Sequence, residues 1–154
     1  MMKNWKVFII CLVIVFGVSF IGSLFTAGNV DSSLYQQNKP VFTPPDWIFG
    51  PVWVILYFLI ALSIYFAWTK AKKGEKKKLA AIFGINLAAN ALWSYLFFEL
   101  QNSLLAFIDI VVILITIIMI ILFAGRIDKK SGWIIAPYLI WVAFASILNF
   151  SFVI

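Results

Sequence analysis

The sequence predicts an all-α integral membrane protein, a bundle of five transmembrane helices with a long outer loop between helices 1 and 2. Of its 154 residues, 64% are hydrophobic and only 12% are charged, whereas roughly a quarter of the residues of a soluble domain are charged. The mean hydropathy is +1.06. The apolar residues form five stretches, each close to the roughly 20 residues that cross a bilayer. A single domain covering residues 1–154 is therefore expected.

The predicted helices are set by the spacing of charged residues along the chain. The first apolar stretch is longer than the roughly 7–15 residues of a signal peptide, which indicates an uncleaved first helix. Asp109 is the only charge inside the fourth apolar stretch, and the other four stretches contain none. The helices are expected at about residues 5–27, 47–69, 79–99, 104–125 and 131–153.

The basic residues predict the orientation in the membrane. Eleven of the twelve lie in the N-terminus and in the second and fourth loops, and only Lys39 falls on the other side. Because basic loops remain in the cytoplasm, the N-terminus is expected to be cytoplasmic and the first loop and C-terminus extracellular. The charge bias and short tail favour a bacterial plasma membrane. The run Lys70–Lys78 could instead bind nucleic acid or anionic lipid, but a topology anchor is the favoured interpretation, so no nucleic-acid partner is expected.

The composition argues against a conventional hydrolase or redox enzyme. The chain has no histidine, which removes the commonest general base and metal ligand. Its one cysteine, Cys11, lies inside a predicted span, and no glycine-rich phosphate loop is present. No metal site and no required cofactor are expected.

Polar and aromatic residues recur on single faces of two predicted helices. Asn86, Asn90 and Trp93 are spaced at i, i+4 and i+7, and Trp141 precedes Ala145 by one turn. Because amides are costly in lipid, the asparagine stripe should face inward. A cavity with indole walls and a few amides suits a planar, mostly apolar ligand. The alternative is that these aromatics only pack and the asparagines only join helices.

The first loop is expected to be stiff. Its prolines, in Lys39-Pro40 and Thr43-Pro44-Pro45, fix φ near −65° and hold the preceding residue extended. A stiff loop with aromatic side chains is typical of a lid over a site.

Asp109 and a stripe of small residues leave alternatives open. Asp109 lies about two turns into the fourth span, where an ionisable group is a candidate for function; the alternative is a hydrogen bond to the first loop or to an amide. A stripe of small residues lies on predicted helix 3: Ala80, Gly84 and Ala88 are four residues apart, and such stripes let membrane helices approach closely. A homodimer through helix 3 is predicted, and the alternative is that the stripe packs against another helix of the same bundle.

Six segments rich in aromatic residues and proline follow one another along nearly the whole chain. They are Leu34-Tyr35, Lys39-Pro40, Phe42-Thr43-Pro44-Pro45, Phe49-Gly50-Pro51-Val52-Trp53-Val54-Ile55-Leu56-Tyr57, Asn90-Ala91-Leu92-Trp93, and Pro137-Tyr138-Leu139-Ile140-Trp141-Val142-Ala143-Phe144-Ala145. In this order they resemble the motifs of the translocator protein family, the TspO/MBR or tryptophan-rich sensory proteins, also called peripheral-type benzodiazepine receptors. Two departures are Leu34 and Phe42, which stand where the family has tryptophan.

The resemblance implies a receptor-like membrane protein that binds porphyrins, such as protoporphyrin IX or haem, and other planar apolar ligands. It also implies light-dependent porphyrin breakdown, linked to tetrapyrrole or stress regulation, with Trp53 and Trp141 as candidate catalytic residues. A transporter of porphyrin or other lipophilic molecules is the alternative. Carried onto this chain, the ligand contacts are Tyr35, Pro44, Trp53, Tyr57, Asn90, Trp141 and Ala145.

Overall fold

The computed structural model describes residues 4–154, so Lys3, which contributes to the predicted charge asymmetry, lies outside the described residues. The described chain is helical and carries no strand. The helices are α1 (Trp5–Ala27), α2 (Ser33–Asn38), α3 (Asp46–Lys70), α4 (Lys73–Ser94), α5 (Ser103–Ile127), α6 (Lys129–Ile134) and α7 (Ala136–Ser151), with a π-helical segment (Tyr95–Glu99) after α4.

Five helical segments are long and apolar enough to cross a membrane, which confirms the predicted fold class. They are α1, α3, α4 with its π-helical segment, α5, and α6 with α7, and they are 23 to 27 residues long. We call the end of the bundle that carries α2 the loop end, and the end that carries the α3–α4 connection the lysine end.

The third span begins at Lys73, six residues before the predicted start at 79. The backbone N–H of Lys72 donates to the Glu75 carboxylate at 2.7 Å, which satisfies a free donor at the helix start. The lysines that follow therefore lie on the first turns of α4, whereas the sequence analysis placed them in a loop.

The fifth span is broken at Ile135, between α6 and α7. Pro137 lies in the first turn of α7, where its missing N–H costs little but prevents a continuous helix through this point. A proline near the start of the fifth predicted helix indicates a bend there, and the structure has a break at this point that divides the span into a short and a long helix.

A close backbone contact fixes the turn from α5 into α6. A Cβ atom built on Gly132 would lie 3.0 Å from Gly125 Cα and 3.1 Å from the Ile121 carbonyl oxygen. These distances are shorter than nearly all real Cβ contacts, and both neighbours are backbone atoms, so any other residue at position 132 would require the α5 backbone to shift by a few tenths of an ångström.

Asp128 starts α6 and ties it to α3. One carboxylate oxygen accepts the backbone N–H of Lys130 at 3.0 Å, and the other lies 2.9 Å from Lys70 Nζ. Burial alone would raise the pKa of Asp128, but the Lys70 ammonium and the Lys130 N–H together hold that pKa below its ordinary value.

The neighbours of α1 change along its length. Near the lysine end, the Phe8 ring packs on Tyr65 of α3 with centroids 5.6 Å apart. Near the loop end, Phe25 packs on Tyr95, directly after α4, at 5.2 Å. Between these contacts the bundle core is filled by apolar side chains such as Val15, which is fully buried.

The small-residue stripe on α4 faces away from the bundle. Ala80, Gly84 and Ala88 are all exposed, and a Cβ atom added to Gly84 would meet no atom within 4 Å. The competing account, packing within one bundle, is therefore wrong, because no other helix lies against this face. The homodimer through helix 3 stays a prediction.

Candidate ligand-binding site

A buried polar network joins α4, α5 and α7. Asn86 Nδ2 donates to Thr116 Oγ1 at 2.8 Å. Asn90 Nδ2 donates to the Tyr138 hydroxyl at 2.6 Å, and that hydroxyl donates to Asn86 Oδ1 at 3.1 Å. Asn86 and Asn90 are 0% and 4% exposed. The prediction that the asparagine stripe faces inward is confirmed.

The network fixes the orientation of the Asn90 amide. Its Nδ2 also lies 2.8 Å from the backbone carbonyl oxygen of Asn86, an atom that can only accept, so the nitrogen must point there. The Asn90 Oδ1 atom receives no hydrogen bond from any described residue. Since Asn90 lines a cavity, its contribution to a ligand is an acceptor oxygen.

Indole rings form the walls of that cavity. Trp93 stacks on Phe97 with centroids 4.9 Å apart and 14° between planes, and its Nε1 donates to Asn149 Oδ1 at 2.9 Å. Trp53 packs on Tyr57 at 5.5 Å. These contacts hold both indoles in fixed orientations before any ligand arrives, which lowers the entropic cost of binding.

Two polar groups of the cavity have no partner within the described part of the chain. The Trp141 indole N–H and the Thr43 hydroxyl are enclosed by protein, and neither forms a hydrogen bond. Both residues line the cavity. An unmade hydrogen bond costs about 1–3 kcal/mol, and a ligand could reach neither atom unless the side chain moved.

The first loop closes the loop end of the cavity through one carboxylate. Asp46 Oδ2 accepts from Gln36 Nε2 at 3.0 Å and from Lys39 Nζ at 3.1 Å, and Oδ1 lies 3.4 Å from the Tyr35 hydroxyl. Burial and the Asp46 carboxylate raise the pKa of Tyr35 to about 12, so this hydroxyl stays protonated and can donate. These contacts join the loop to the start of α3.

The lid contains a helix, α2, that was not predicted. The Ser32 side chain accepts the backbone N–H of Tyr35 at 3.4 Å and caps the helix, an arrangement that Ser32 followed by Leu34-Tyr35 could have signalled. The Tyr35 ring lies parallel to Phe152 at 5.8 Å, which attaches the lid to the end of the fifth span.

The cavity has a volume of about 320 Å³ and lies between the lid and the asparagine network. Six of the seven predicted ligand contacts line it; Pro44 does not, and its neighbours Thr43 and Asp46 do. Among the lining residues that the predicted contacts omitted are Trp93, which the asparagine stripe had signalled, and Phe49. The six are Tyr35, Trp53, Tyr57, Asn90, Trp141 and Ala145.

The two positions that depart from the family pattern lie outside this cavity. Leu34 and Phe42 are 55% and 54% exposed on the lid, and neither lines the main cavity. Leu34 borders a separate, smaller depression between α2 and the π-helical segment. The presence of Leu34 and Phe42 in place of tryptophan therefore changes the surface of the lid and not the walls of the cavity.

Asp109 is buried, with 7% exposure, but does not line the cavity. Its carboxylate forms no hydrogen bond with the described residues, and its Oδ2 atom is enclosed. The interpretation of Asp109 as a hydrogen-bonding link between helices is therefore not supported. Within residues 4–154 no group of three acidic, cysteine or histidine side chains could hold a metal ion.

These features define a class, the multi-pass membrane proteins with a lidded, aromatic cavity inside a helix bundle. A model of the TspO/MBR family matches residues 9–154. The chain therefore belongs to the TspO/MBR family, and the resemblance stated from the sequence motifs is confirmed.

Curated relatives agree with this assignment over most of their length. The tryptophan-rich protein TspO of Archaeoglobus fulgidus is 42% identical, over 89% of this chain and 88% of that protein. The tryptophan-rich protein TspO of Chlorobaculum tepidum is 36% identical, over 92% and 90%. The translocator protein of Homo sapiens is 28% identical, over 85% and 79%.

Proposed function

We propose that this receptor-like membrane protein binds porphyrins, such as protoporphyrin IX, and other planar apolar ligands in the lidded cavity. The observation that carries the proposal is the arrangement of three indoles, Trp53, Trp93 and Trp141, around the free acceptor of Asn90. Indole faces offer large flat contact areas with little conformational cost. Membership of the TspO/MBR family supports the same ligand class.

The lining chemistry suits a flat macrocycle with a few polar atoms. Ala145, one turn after Trp141 on α7, leaves space beside the indole. The chain has no histidine, so the iron of haem would find no imidazole ligand. Metal-free porphyrin is therefore expected to bind about as well as haem.

A titration with protoporphyrin IX in the dark tests the proposal. Purified protein in detergent should show a saturating quench of tryptophan fluorescence. Trp141→Phe shrinks one indole wall of the cavity and should weaken binding by about fivefold, which corresponds to about 1 kcal/mol of lost aromatic contact. Trp133→Phe is the matched control, because Trp133 is 78% exposed and lies outside the cavity. A quench that rises without saturation would contradict the proposal.

We also propose that bound porphyrin is broken down under light and oxygen, with Trp53 and Trp141 as electron donors or as walls that hold the excited pigment. Both indoles line the cavity. At saturating porphyrin, Trp53→Phe/Trp141→Phe should stay occupied but lose the light-driven decay of the pigment band. Decay of the pigment band at the wild-type rate in this double variant would show that the two tryptophans take no part in the breakdown.

Transport of porphyrin is the alternative function, and the packing below the cavity favours binding. Ile60, Ala61 and Ile117 have no exposed surface and fill the bundle on the lysine side of Tyr57. A passage through the bundle would have to open this packed core. Uptake of porphyrin into proteoliposomes, compared with empty liposomes, distinguishes the two functions.

We further propose a plasma-membrane location with the lysine end in the cytoplasm. Support comes from the basic residues between 4 and 154, of which Lys39 is the only one at the loop end. Alkaline phosphatase fused after Ile154 should be active, because it would be exported, and the same enzyme fused at Gly74 should be inactive. The reverse pattern would invert the topology.

A further inference from the structure

The cavity reaches the side of the bundle because α1 leaves α3 toward the loop end. Near the lysine end α1 packs on α3, with Phe8 against Tyr65. Near the loop end α1 packs on α4 and its π-helical extension: a Cβ atom on Gly22 would lie 3.4 Å from Ser94 Oγ, and Asn29 Nδ2 donates to Glu99 at 3.3 Å. Because α1 moves from α3 to α4 along its length, a gap remains between α1 and α3 toward the loop end.

Small side chains border this gap, which we call the α1–α3 portal: Ser19 and Ser23 from α1, and Gly50 and Val54 from α3. All four line the cavity. Ser23, Gly50 and Val54 are also exposed on the outside of the bundle, Val54 to 55%. A Cβ atom on Gly50 would meet nothing within 4 Å. The cavity is therefore open between α1 and α3.

The depth of the portal follows from Trp47. This tryptophan is 74% exposed and shares a face of α3 with Gly50 and Val54, at i+3 and i+7. Exposed tryptophans at the ends of membrane helices lie at the headgroup level. At the helical rise, Gly50 and Val54 are about 5 and 10 Å deeper, so the portal opens among the lipid chains.

The route from water is closed by the lid. Asp46 holds Tyr35, Gln36 and Lys39 through one carboxylate, and the Tyr35 ring is stacked on Phe152. Movement of α2 away from the cavity would break these contacts together. The portal requires no such break, because its bordering side chains form no hydrogen bond across the gap.

We infer that ligands enter and leave the cavity sideways, from the lipid chains at the loop end, through the α1–α3 portal. The site then selects planar molecules that are already dissolved in the membrane. This inference rests on the proposed function, since it concerns how the proposed ligand reaches its site.

Binding kinetics in proteoliposomes test the inference. After mixing with protoporphyrin IX, tryptophan quenching gives the association rate, and displacement by excess competitor gives the dissociation rate. Gly50→Phe fills the portal and should slow both rates by about tenfold or more, as expected for a blocked access path. Val54→Trp, which fills it one turn deeper, should do the same. Gly17→Phe is the matched control, because Gly17 is also exposed and has open space around it.

A variant of the lid tests the alternative route, entry from water. Gln36→Ala/Lys39→Ala removes two of the three groups that hold α2 to Asp46 without touching a residue that lines the cavity. Sideways access predicts that both rates stay within about twofold of wild type. Wild-type rates in Gly50→Phe and Val54→Trp, or a marked acceleration in the lid variant, would overturn the inference.

A measurement without porphyrin separates this inference from the proposed function. If wild type shows no saturable binding, the proposed function fails, but the portal can still be tested with phospholipids brominated in their chains, which quench tryptophan on contact. The emission of Trp53 is obtained as the difference between wild type and Trp53→Phe, and it should be quenched in wild type. In Gly50→Phe the quenching of Trp53 should fall by about half or more, because the cavity of this variant is sealed from lipid. Equal quenching in both proteins would overturn the portal.

Discussion

Tyr138 shows how single polar atoms are accommodated in the interior of this bundle. Its hydroxyl accepts from Asn90 and donates to Asn86, and the Asn86 amide in turn donates to Thr116. In an environment without water each of these groups must find a partner in the protein. The network satisfies them and leaves Asn90 Oδ1 as the atom available to a ligand.

Removal of this hydroxyl should destabilise the fold. Tyr138→Phe removes the hydroxyl that joins Asn86 Oδ1 to Asn90 Nδ2 and leaves only the long 3.4 Å bond between these two atoms, so the expected loss is about 1–3 kcal/mol in the free energy of unfolding. Thermal unfolding in detergent measures it as a lower midpoint. Tyr95→Phe is the control, since no described residue hydrogen-bonds to the Tyr95 hydroxyl. Equal midpoints for the two variants would show that the network contributes little.

At the residue scale, the sequence predicted which faces are polar but not which atoms pair. The spacing of Asn86, Asn90 and Trp93 indicated an inward stripe, because amides avoid lipid. The bond from Trp93 to Asn149 depends on how α4 and α7 are rotated about their axes, and a periodicity within one helix carries no information about that rotation. Pro44, a ligand contact implied by the family resemblance, does not line the cavity, because a motif match does not show which side chains of a loop turn inward.

Asp128 has two separate tasks at the junction of α5 and α6. It caps α6 through the N–H of Lys130 and it forms an ion pair with Lys70 of α3. A cap needs only an acceptor oxygen, whereas the ion pair needs a negative charge. Two substitutions therefore separate the two contributions.

The two variants should differ in how their stability depends on pH. The pKa of Asp128 is lowered in the folded protein, so its charge stabilises the fold above the ordinary aspartate pKa of about 3.9 and loses that effect as pH falls through the lowered value. Asp128→Asn keeps an acceptor, so its deficit against wild type should be constant from pH 7 to about 5, should begin to shrink near the ordinary pKa of about 3.9, and should vanish only below the lowered pKa of the folded protein. Asp128→Ala should add a pH-independent loss of about 0.5–2 kcal/mol.

Unfolding midpoints across this pH range provide the test. The series must extend below the lowered pKa, to about pH 2, and a deficit of Asp128→Asn that stays the same there and at pH 7 would show that the charge on Asp128 does not contribute. Equal stabilities of the asparagine and alanine variants at low pH would show that the cap does not.

At the scale of elements, the apolar stretches predicted the spans well and their ends less well. Stretch length reports how much chain lies in lipid, but α4 starts earlier because Glu75 satisfies the N–H of Lys72. The helix α2 was missed because its six residues lie in a polar loop, where no apolar periodicity marks them. Pro137, in contrast, gave the break in the fifth span directly, since proline removes a donor wherever it stands.

The whole molecule presents one outward face that is suited to a second copy. We propose that two chains associate through Ala80, Gly84 and Ala88 of α4, because these residues are exposed and would let two helix backbones approach closely. Lipid chains are the other natural neighbours of this face, and a measurement of the oligomeric state decides between them.

Gly84→Leu should abolish the dimer without harming the bundle. A side chain at position 84 meets no atom of its own chain within 4 Å, but it would hold two α4 helices apart. Light scattering in detergent should report a dimer for wild type and a monomer for Gly84→Leu. Gly17→Leu, in equally open space on α1, should remain dimeric. A wild-type monomer in native-lipid nanodiscs would refute the dimer.

The contact between Gly125 and Gly132 restricts how this protein can vary. A single added methyl group at position 132 would meet two backbone positions of α5 at 3.0 and 3.1 Å, so no repacking of side chains can make room for it. Substitutions at this turn are therefore restricted, whereas side chains of the cavity walls on α3, α4 and α7 can be exchanged. The ligand preference of the cavity can change in this way without disturbing the packing of the turn.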